Sequence, residues 1–176
     1  MTERRAPHES LPGAKAVLRF ALLTISDTRG PDDDVSGRTM RQLVLGSGHL
    51  VHAAAIVRDE PEDVRAQVCS WASDPECDVI VSSGGTGLSA RDRTVEAVSG
   101  LFDLRIEGFG ELFRHLSFQE IGSMAMLSRA AAGVVRGTAV FLLPGSPAAV
   151  TLALERLVLP AAAHVVGELR RHGGAV

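Results

Sequence analysis

The chain has few cysteines, and they do not form a recognisable motif. Only Cys69 and Cys77 occur among its 176 residues, and their spacing matches neither a zinc site nor a redox pair. A disulfide scaffold is therefore excluded, and we expect two buried thiols in a reducing cytosol. With 18 glycines, 8 prolines and 45% hydrophobic residues, the composition is that of a globular domain, which excludes collagen and intrinsic disorder.

Excess basic charge and long apolar runs are also missing. The 18 basic and 21 acidic side chains give a net charge of −3, so no global basic field favours nucleic-acid binding, although a local basic patch is compatible with these totals. No uninterrupted apolar run reaches the roughly 18 residues of a membrane span, and the first eleven residues include Arg4 and Arg5 instead of an apolar signal region. We expect a cytoplasmic protein that binds neither nucleic acid nor a membrane.

Apolar runs of strand length alternate with segments of helical spacing. The runs at 16–24, 50–57 and 78–83 predict strands, while Ser36 is placed to cap one helix and Pro61 to begin the next. Helical spacing continues within 108–129. Residues 133–143 predict two strands that meet at Arg136 and Gly137, and 147–171 predict a final helix that Pro160 restarts or kinks.

This alternation predicts the fold class. Strands joined by helices favour right-handed crossovers and a sheet covered on both faces. We therefore predict a single three-layer α/β domain over residues 16–171, with a mostly parallel sheet flanked by helices. A flexible leader at 1–15 and a short tail at 172–176 would complete the chain.

The third predicted strand runs into a glycine-rich loop, and residues 78–97 read DVIVSSGGTGLSARDRTVEA. The loop begins with Gly84, Gly85, Thr86 and Gly87. Glycines let backbone N–H groups approach a phosphate closely, and a following helix N-terminus adds partial positive charge. The alternative is that these glycines only form a tight turn, and the residue types leave both interpretations open.

Two known phosphate motifs can be compared with this loop. The P-loop pattern is absent, because no Gly-Lys-Ser/Thr follows the glycines. Gly85, Gly87 and Ala90 match the GxGxxG/A dinucleotide pattern, with Glu107 about 20 residues further on, but the match follows the third strand and not the first. A dinucleotide-binding oxidoreductase is therefore a weak alternative.

Two aspartates follow predicted strands near this loop. Asp92 comes just after the glycines, and Asp59 closes the second strand. Carboxylates beside a bound phosphate would repel it unless a hard cation such as Mg²⁺ lies between them. Asp92 could instead cap or charge the helix that starts near Thr94, and Asp59 could act in the same way on the next helix. Because the two aspartates follow what we take to be adjacent strand ends, a shared site is expected.

Small polar residues follow two further strands. The first strand ends in Thr24, Ser26 and Asp27, and the loop at 142–147 contains Gly145 and Ser146. Gly145 permits close approach of the backbone, whereas Ser146 is better suited to capping the last helix than to binding a ligand. Four strand ends would thus bring small polar or acidic residues to the edge where parallel sheets bind ligands.

Taken together, these motifs resemble the MogA/MoaB molybdopterin-binding proteins of molybdenum cofactor biosynthesis over residues 17–169. The matching segments are SDTR at 26–29, SG at 36–37, SSGGTG through RD at 82–92, EGFGELFR at 107–114, LSRA at 127–130 and LPGSP at 143–147. The SDTR and LPGSP segments are closer to the MoaB branch than to the MogA branch.

The resemblance implies an enzyme that binds molybdopterin and Mg-ATP, adenylylates the pterin phosphate and releases pyrophosphate. A non-catalytic molybdopterin carrier with the same pocket is the principal alternative, and the choice between molybdenum and tungsten stays open. The resemblance also implies a trimer or hexamer and a downstream molybdenum-insertion enzyme. Phe109, Phe113 and Phe118 have little place in a minimal sheet sandwich, so they are candidates for subunit contacts, with core packing as the alternative.

Carried over residue by residue, the resemblance makes Asp59 and Asp92 the catalytic and Mg²⁺-positioning residues. The positions that match the family's pterin- and phosphate-binding residues are Ser26, Asp27, Gly84, Gly85, Thr86, Gly87, Ser128, Pro144, Gly145 and Ser146. Three positions depart from the family pattern. Arg58 stands where proline is common and would bind a phosphate or be merely solvated, and Arg93 and Val95 replace the usual valine and proline after Asp92.

Overall fold

A computed structural model describes residues 17–172 of the chain. The leader predicted for residues 1–15 and residues 173–176 of the predicted tail lie outside the described residues. The strands are β1 (Arg19–Ile25), β2 (Leu50–Val57), β3 (Val79–Ser83), β4 (Leu104–Arg105), β5 (Ala131–Val135) and β6 (Thr138–Leu143). The helices are α1 (Val35–Gly46), α2 (Pro61–Ala72), α3 (Thr94–Ser99), α4 (Glu107–Ile121), α5 (Pro147–Ala153) and α6 (Leu159–His172). A 3₁₀ segment (Gly122–Leu127) follows α4, and a π-helical turn (Leu154–Val158) joins α5 to α6.

The six described strands form one sheet in the order β2-β1-β3-β6-β5-β4. The pairs β2–β1, β1–β3 and β3–β6 are parallel, whereas β5 and β4 are antiparallel to their neighbours. The β5–β6 hairpin turns at Arg136 and Gly137, as predicted, with φ values of 51° and 81°. Two consecutive positive φ angles are typical of the tight turn that matches strand twist.

The sheet separates two hydrophobic layers, which confirms the predicted three-layer α/β fold. Alternate residues of β1 point to opposite faces: Phe20 and Leu22 pack with α1, α4 and the α5–α6 helix, while Ala21 and Leu23 pack with α2 and α3. The second layer includes Trp71, the single tryptophan of the chain. The sheet is thus held rigidly from both sides, which fixes the relative positions of its strand ends.

The last helical stretch, Pro147–Arg171, is long and apolar enough to cross a membrane by length and composition alone. Its apolar composition has a simpler explanation, since one face lies in the first hydrophobic layer through Val150, Leu154, Val158 and Val166. Pro160 lies at the second position of α6, directly after the π-helical turn. Because proline lacks an N–H group, the wider turn lets the helix continue through this position.

The N-terminus of α1 differs from the sequence expectation. The capping residue is Asp34, whose Oδ1 accepts a hydrogen bond of 2.8 Å from the Gly37 N–H. Its Oδ2 accepts a 2.6 Å hydrogen bond from the Thr24 hydroxyl, so this one buried carboxylate ties the helix to β1. The prediction that Ser36 caps the helix is wrong, because Ser36 already lies within the first turn and its hydroxyl donates to the Gly145 carbonyl at 2.9 Å.

Replacing Asp34 with alanine should destabilise the protein by about 2–3 kcal/mol, because a helix cap and a buried hydrogen bond to a charged group are lost together. Equilibrium urea unfolding measures this change. Asp33→Ala, which removes an exposed carboxylate one residue earlier, is the matched control and should change the free energy of unfolding by less than about 0.5 kcal/mol. Equal stability of the two variants would remove the capping role from Asp34.

Candidate functional site

A cleft of about 620 Å³ opens at the carboxyl ends of β1, β2, β3 and β6. All of the residues carried over from the resemblance line this cleft except Ser146. The lining residues are Ile25, Ser26, Asp27, Thr28, Arg29, Asp59, Gly84, Gly85, Thr86, Gly87, Asp92, Ile121, Met124, Leu127, Ser128, Pro144 and Gly145. The cleft therefore lies where open α/β sheets bind ligands.

The glycines after β3 are required by the packing of the strand ends. Gly84 has a φ of 114°, and a Cβ atom there would lie 2.2 Å from the Ile25 carbonyl oxygen. Its N–H donates to the Leu143 carbonyl at 3.1 Å, which ties β3 to the end of β6. A side chain at Gly84 would push these strand ends apart, so the tight-turn interpretation is correct for this glycine.

Gly85 has a different role, because its missing side chain leaves room beside an acidic residue. Its φ is 61°, and a Cβ atom there would lie 2.0 Å from Thr94 Oγ1 and 2.7 Å from Asp59 Oδ1. The Asp59 carboxylate and the Thr94 hydroxyl therefore converge on the space that a larger residue would fill. Among the described residues, Thr94 Oγ1 is buried and has no hydrogen-bond partner.

Asp92 does not cap α3. Its Oδ2 accepts a 2.9 Å hydrogen bond from the Ser89 N–H, which closes the loop between the glycines and the helix. Arg93 occupies the position before the helix, with no side-chain cap. The alternative in which Asp92 caps α3 is therefore wrong. Its carboxylate lies on the cleft wall beside Gly87, whose Cβ would meet Oδ2 at 2.7 Å.

The helix start also argues against a dinucleotide site. In that motif the glycine turn opens directly into a helix, whereas α3 begins seven residues after Gly87, at Thr94. The acidic residue of the pattern, Glu107, is the first residue of α4 and does not line the cleft. The chain therefore matches the dinucleotide pattern in sequence only.

Negative charge is concentrated on one side of the cleft. The Asp59 N–H donates to Asp27 Oδ1 at 3.1 Å, and Arg91 pairs with Asp27 Oδ2 at 2.8 Å and more distantly with Glu60. Burial, followed by the nearby charges of Asp92 and Asp27, raises the pKa of Asp59 above its ordinary value, while Arg91 opposes the rise. The cluster would be stabilised by additional positive charge.

The strands that carry the acidic residues are not neighbours in the sheet. Asp59 follows β2 and Asp92 follows the β3 loop, and β1 lies between these strands. The expectation of adjacent strand ends is therefore wrong in detail. The two side chains nevertheless share the cleft, because Asp59 reaches past the end of β1 toward Gly85.

The donor set fits a magnesium ion better than a transition metal. The described part of the chain has no group of three or more His, Cys, Asp or Glu side chains placed to hold a metal. Magnesium usually takes one or two carboxylates and completes its octahedron with water and substrate phosphate. Asp59 and Asp92 supply two carboxylates, and the unpartnered Thr94 hydroxyl can accept or donate to a water beside them.

The loop after β6 contributes Pro144 and Gly145 to the cleft lining. The Gly145 carbonyl accepts hydrogen bonds from Ser36 Oγ at 2.9 Å and from Arg29 Nη1 at 3.3 Å. Ser146 turns away, since its Oγ accepts from the Ala149 N–H at 3.2 Å and caps α5. The prediction that Ser146 caps the last helix is confirmed. Ser146 is not one of the described residues that line the cleft.

Sequence reasoning did not assign several residues of the cleft. Arg29, part of the SDTR segment, is a cation on the lining. The side chains of Ile121, Met124 and Leu127 form an apolar wall, contributed by the end of α4 and the 3₁₀ segment. The SDTR motif could have drawn attention to Arg29, but nothing in the local pattern of residues 121–127 places them beside the glycine loop.

The three departures from the family pattern have structural outcomes. Arg58 pairs with Asp63 on α2 through Nε at 2.9 Å and Nη2 at 2.8 Å, and it does not line the cleft. Arg93 and Val95 flank the first residue of α3, where the backbone remains helical from Thr94 onward. Arg58 is therefore positioned to stabilise the start of α2 and not to contact a ligand in this cleft.

Comparison with known proteins defines the class of this chain. The family model described as "Probable molybdopterin binding domain" matches residues 21–164. The chain therefore belongs to this family of molybdenum cofactor biosynthesis proteins.

Among its relatives, molybdenum cofactor biosynthesis protein B of Bacillus subtilis is 44% identical over 159 residues, covering 90% of this chain and 94% of the relative. A crystal structure of a molybdenum cofactor biosynthesis protein B superposes with a TM-score of 0.87 at 44% identity, covering 89% of this chain and 98% of that one. The tungsten cofactor synthesizing protein MoaB from Pyrococcus furiosus gives a TM-score of 0.81 at 34% identity, with coverage of 89% and 99%. The chain is thus a homologue of the MoaB proteins.

Asp59→Asn should raise the melting temperature at pH 7 in the absence of Mg²⁺. Because the folded state raises the pKa of Asp59, the stability linked to its protonated form is present at low pH and is lost as the pH rises through the raised value. Asparagine stays neutral at every pH. The gain in melting temperature should therefore vanish below pH 3.8, the ordinary pKa of an aspartate side chain. Differential scanning calorimetry across this pH range measures it.

The matched control for this titration is Asp33→Asn, which neutralises an exposed carboxylate outside the cleft. It should not reproduce the pH-dependent gain of Asp59→Asn. A lower melting temperature for Asp59→Asn at pH 7 would mean that the carboxylate stabilises the fold instead of straining it.

Proposed function

We propose that this protein adenylylates molybdopterin with Mg-ATP and releases pyrophosphate. The observation that carries the proposal is the combination, in one cleft, of a glycine loop on the lining and the two carboxylates Asp59 and Asp92. Glycine amides suit phosphate oxygens, and paired carboxylates suit a magnesium ion that also binds phosphate. Family membership supplies molybdopterin as the substrate class.

In the proposed reaction, an oxygen of the molybdopterin phosphate attacks the α-phosphorus of ATP. The bond between this phosphorus and the oxygen that bridges to the β-phosphate breaks, and pyrophosphate leaves with that oxygen. The attacking oxygen belongs to the substrate, so the protein needs no nucleophile of its own. Magnesium, when bound, neutralises charge on the phosphates. Asp59 and Asp92 would hold it, and the backbone at Gly85 and Gly87 would position phosphate oxygens.

The walls of the cleft divide in a way that suits both substrates. Arg29 and the glycine loop are polar, while Ile121, Met124 and Leu127 are apolar. A flat heterocyclic ring would pack on the apolar wall while its phosphate lies near the loop. Ser26, Asp27, Ser128, Pro144 and Gly145 also line the cleft and complete the proposed pocket.

The test of this function is pyrophosphate release on mixing the protein with molybdopterin, ATP and Mg²⁺. We expect one pyrophosphate per adenylylated pterin and none when molybdopterin is omitted. Binding of molybdopterin without pyrophosphate release would identify a carrier that uses the same cleft. Binding of nicotinamide dinucleotide without a pterin requirement would contradict both.

Asp92→Asn should lower the turnover number by roughly a hundredfold, about 2.7 kcal/mol, and leave molybdopterin affinity nearly unchanged, because the lost charge acts mainly on the transition state. The asparagine oxygen can still accept from the Ser89 N–H, so the loop should keep its structure. Adenylylation rates and pterin binding should be measured on one preparation, with Asp33→Asn as control. Full activity of Asp92→Asn would remove this carboxylate from the mechanism.

We also propose that the protein assembles as a trimer or hexamer, acts in the cytoplasm and passes its product to a downstream molybdenum-insertion enzyme. The end of α4 and the 3₁₀ segment carry exposed apolar side chains outside the cleft lining: Phe118 is 61% and Met126 is 76% exposed. Apolar clusters of this kind mark protein contacts. Phe109 and Phe113 are buried in the core, so the expectation that they serve subunit contacts is wrong and only Phe118 remains available.

Sedimentation velocity at micromolar concentration should show a species larger than the 18.6 kDa monomer. Phe118→Asp should shift the distribution toward the monomer, because a charge in an apolar interface is left without a partner. Leu45→Asp places the same charge at an exposed apolar residue of α1 and should not change the mass. A monomeric wild-type protein would contradict the proposed assembly.

A further inference from the structure

Arg129 connects the region after the 3₁₀ segment to the glycine loop. Its Nε donates to the Thr86 carbonyl at 3.1 Å, and its Nη2 donates to the Asp92 carbonyl. The third nitrogen, Nη1, pairs with Glu96 on α3. The side chain is only 26% exposed, so these bonds are partly shielded from water and stronger than those of a surface arginine.

The two carbonyl groups lie at the two ends of one loop. Thr86 follows the glycine turn, and Asp92 precedes α3 by two residues. Between them the bonds that the Ser89 N–H donates to Asp92 and the Arg91 N–H donates to Ser89 Oγ are local, and the Arg91 side chain pairs with Asp27 and Glu60. Arg129 is thus the contact that ties both ends of the loop to another part of the fold.

Fixing a carbonyl also fixes the amide that follows it. In a trans peptide the C=O and the next N–H point in opposite directions. By holding the Thr86 carbonyl, Arg129 sets the direction of the Gly87 N–H, and by holding the Asp92 carbonyl it restricts the backbone that carries the Asp92 carboxylate. Both groups belong to the cleft lining.

We propose that Arg129 is a positioning residue, which acts through the Thr86 and Asp92 carbonyls to hold the glycine loop in its anion-binding geometry. A guanidinium presents its nitrogens in a rigid planar fork, whereas a lysine ammonium is a point charge on a flexible stem. A positive charge alone is therefore not enough to hold both carbonyl groups. The loop geometry stands independently of the reaction, and the effect on nucleotide binding rests on the proposed function.

The first experiment follows amide hydrogen exchange across residues 84–93 in the full chain without ligand. Arg129→Lys keeps the charge and should raise exchange in this segment about tenfold, because the loop opens locally more often. Arg136→Lys is the matched control, since Arg136 donates to Ser73 outside the cleft, and it should leave this segment unchanged. Unchanged exchange in Arg129→Lys overturns the proposal.

Glu96→Gln separates the carbonyl contacts from the ion pair. It removes the charge that pairs with Nη1 but leaves the two carbonyl acceptors in place. We expect less than about a third of the exchange increase seen for Arg129→Lys, since only one of three contacts is weakened. If Glu96→Gln raises exchange as much as Arg129→Lys does, the loop is ordered by the ion pair between Arg129 and Glu96 and not by the two carbonyl contacts, and the proposal is wrong.

The second experiment measures Mg-ATP binding by calorimetry on the same variants. Arg129→Lys should bind Mg-ATP about tenfold more weakly, or 1.4 kcal/mol, with molybdopterin binding less affected and a melting temperature close to wild type. Faster loop exchange with wild-type Mg-ATP affinity would give Arg129 a purely structural role and overturn its positioning role. If the wild-type protein binds no Mg-ATP, the proposed function fails. The hydrogen-exchange experiment alone then tests whether Arg129 holds the glycine loop.

Discussion

The candidate site depends on the close contact of strand ends at Gly84. A Cβ atom here would lie 2.2 Å from the Ile25 carbonyl oxygen, and the Gly84 N–H is bonded to the Leu143 carbonyl. The ends of β1, β3 and β6 therefore meet at one residue without a side chain. Since the sheet is packed on both faces, these ends cannot spread, and the loops that leave them are forced to share a single cleft.

The acidic side chains in this cleft repel one another, and this repulsion indicates what the cleft binds. Partial burial, followed by the nearby charges of Asp92 and Asp27, raises the pKa of Asp59, and Arg91 only partly offsets the rise. A fold optimised for stability alone would not place these carboxylates together. Their arrangement is understandable if a cation and phosphate groups occupy the cleft, which is consistent with membership in the molybdopterin-binding family.

Sequence reasoning predicted the elements whose signals are local. The glycine pattern located the loop after β3, the Arg136–Gly137 pair located the hairpin, and hydrophobic periodicity gave the layered sheet. It failed where neighbouring residues compete for one role, as with Asp34 and Ser36, since both residue types cap helices. It also missed contacts between distant segments: Arg129 reaches Thr86 across 43 positions, and no periodicity encodes such a pairing.

We propose that this cleft binds nucleotide phosphate through a magnesium ion held by Asp59 and Asp92. The most direct measurement is calorimetric titration of the wild-type protein with ATP, in excess Mg²⁺ and again in excess EDTA. We expect the affinity for ATP to fall by about tenfold or more without Mg²⁺, because bare phosphates meet an acidic cluster. Equal ATP affinity under both conditions would contradict the proposal.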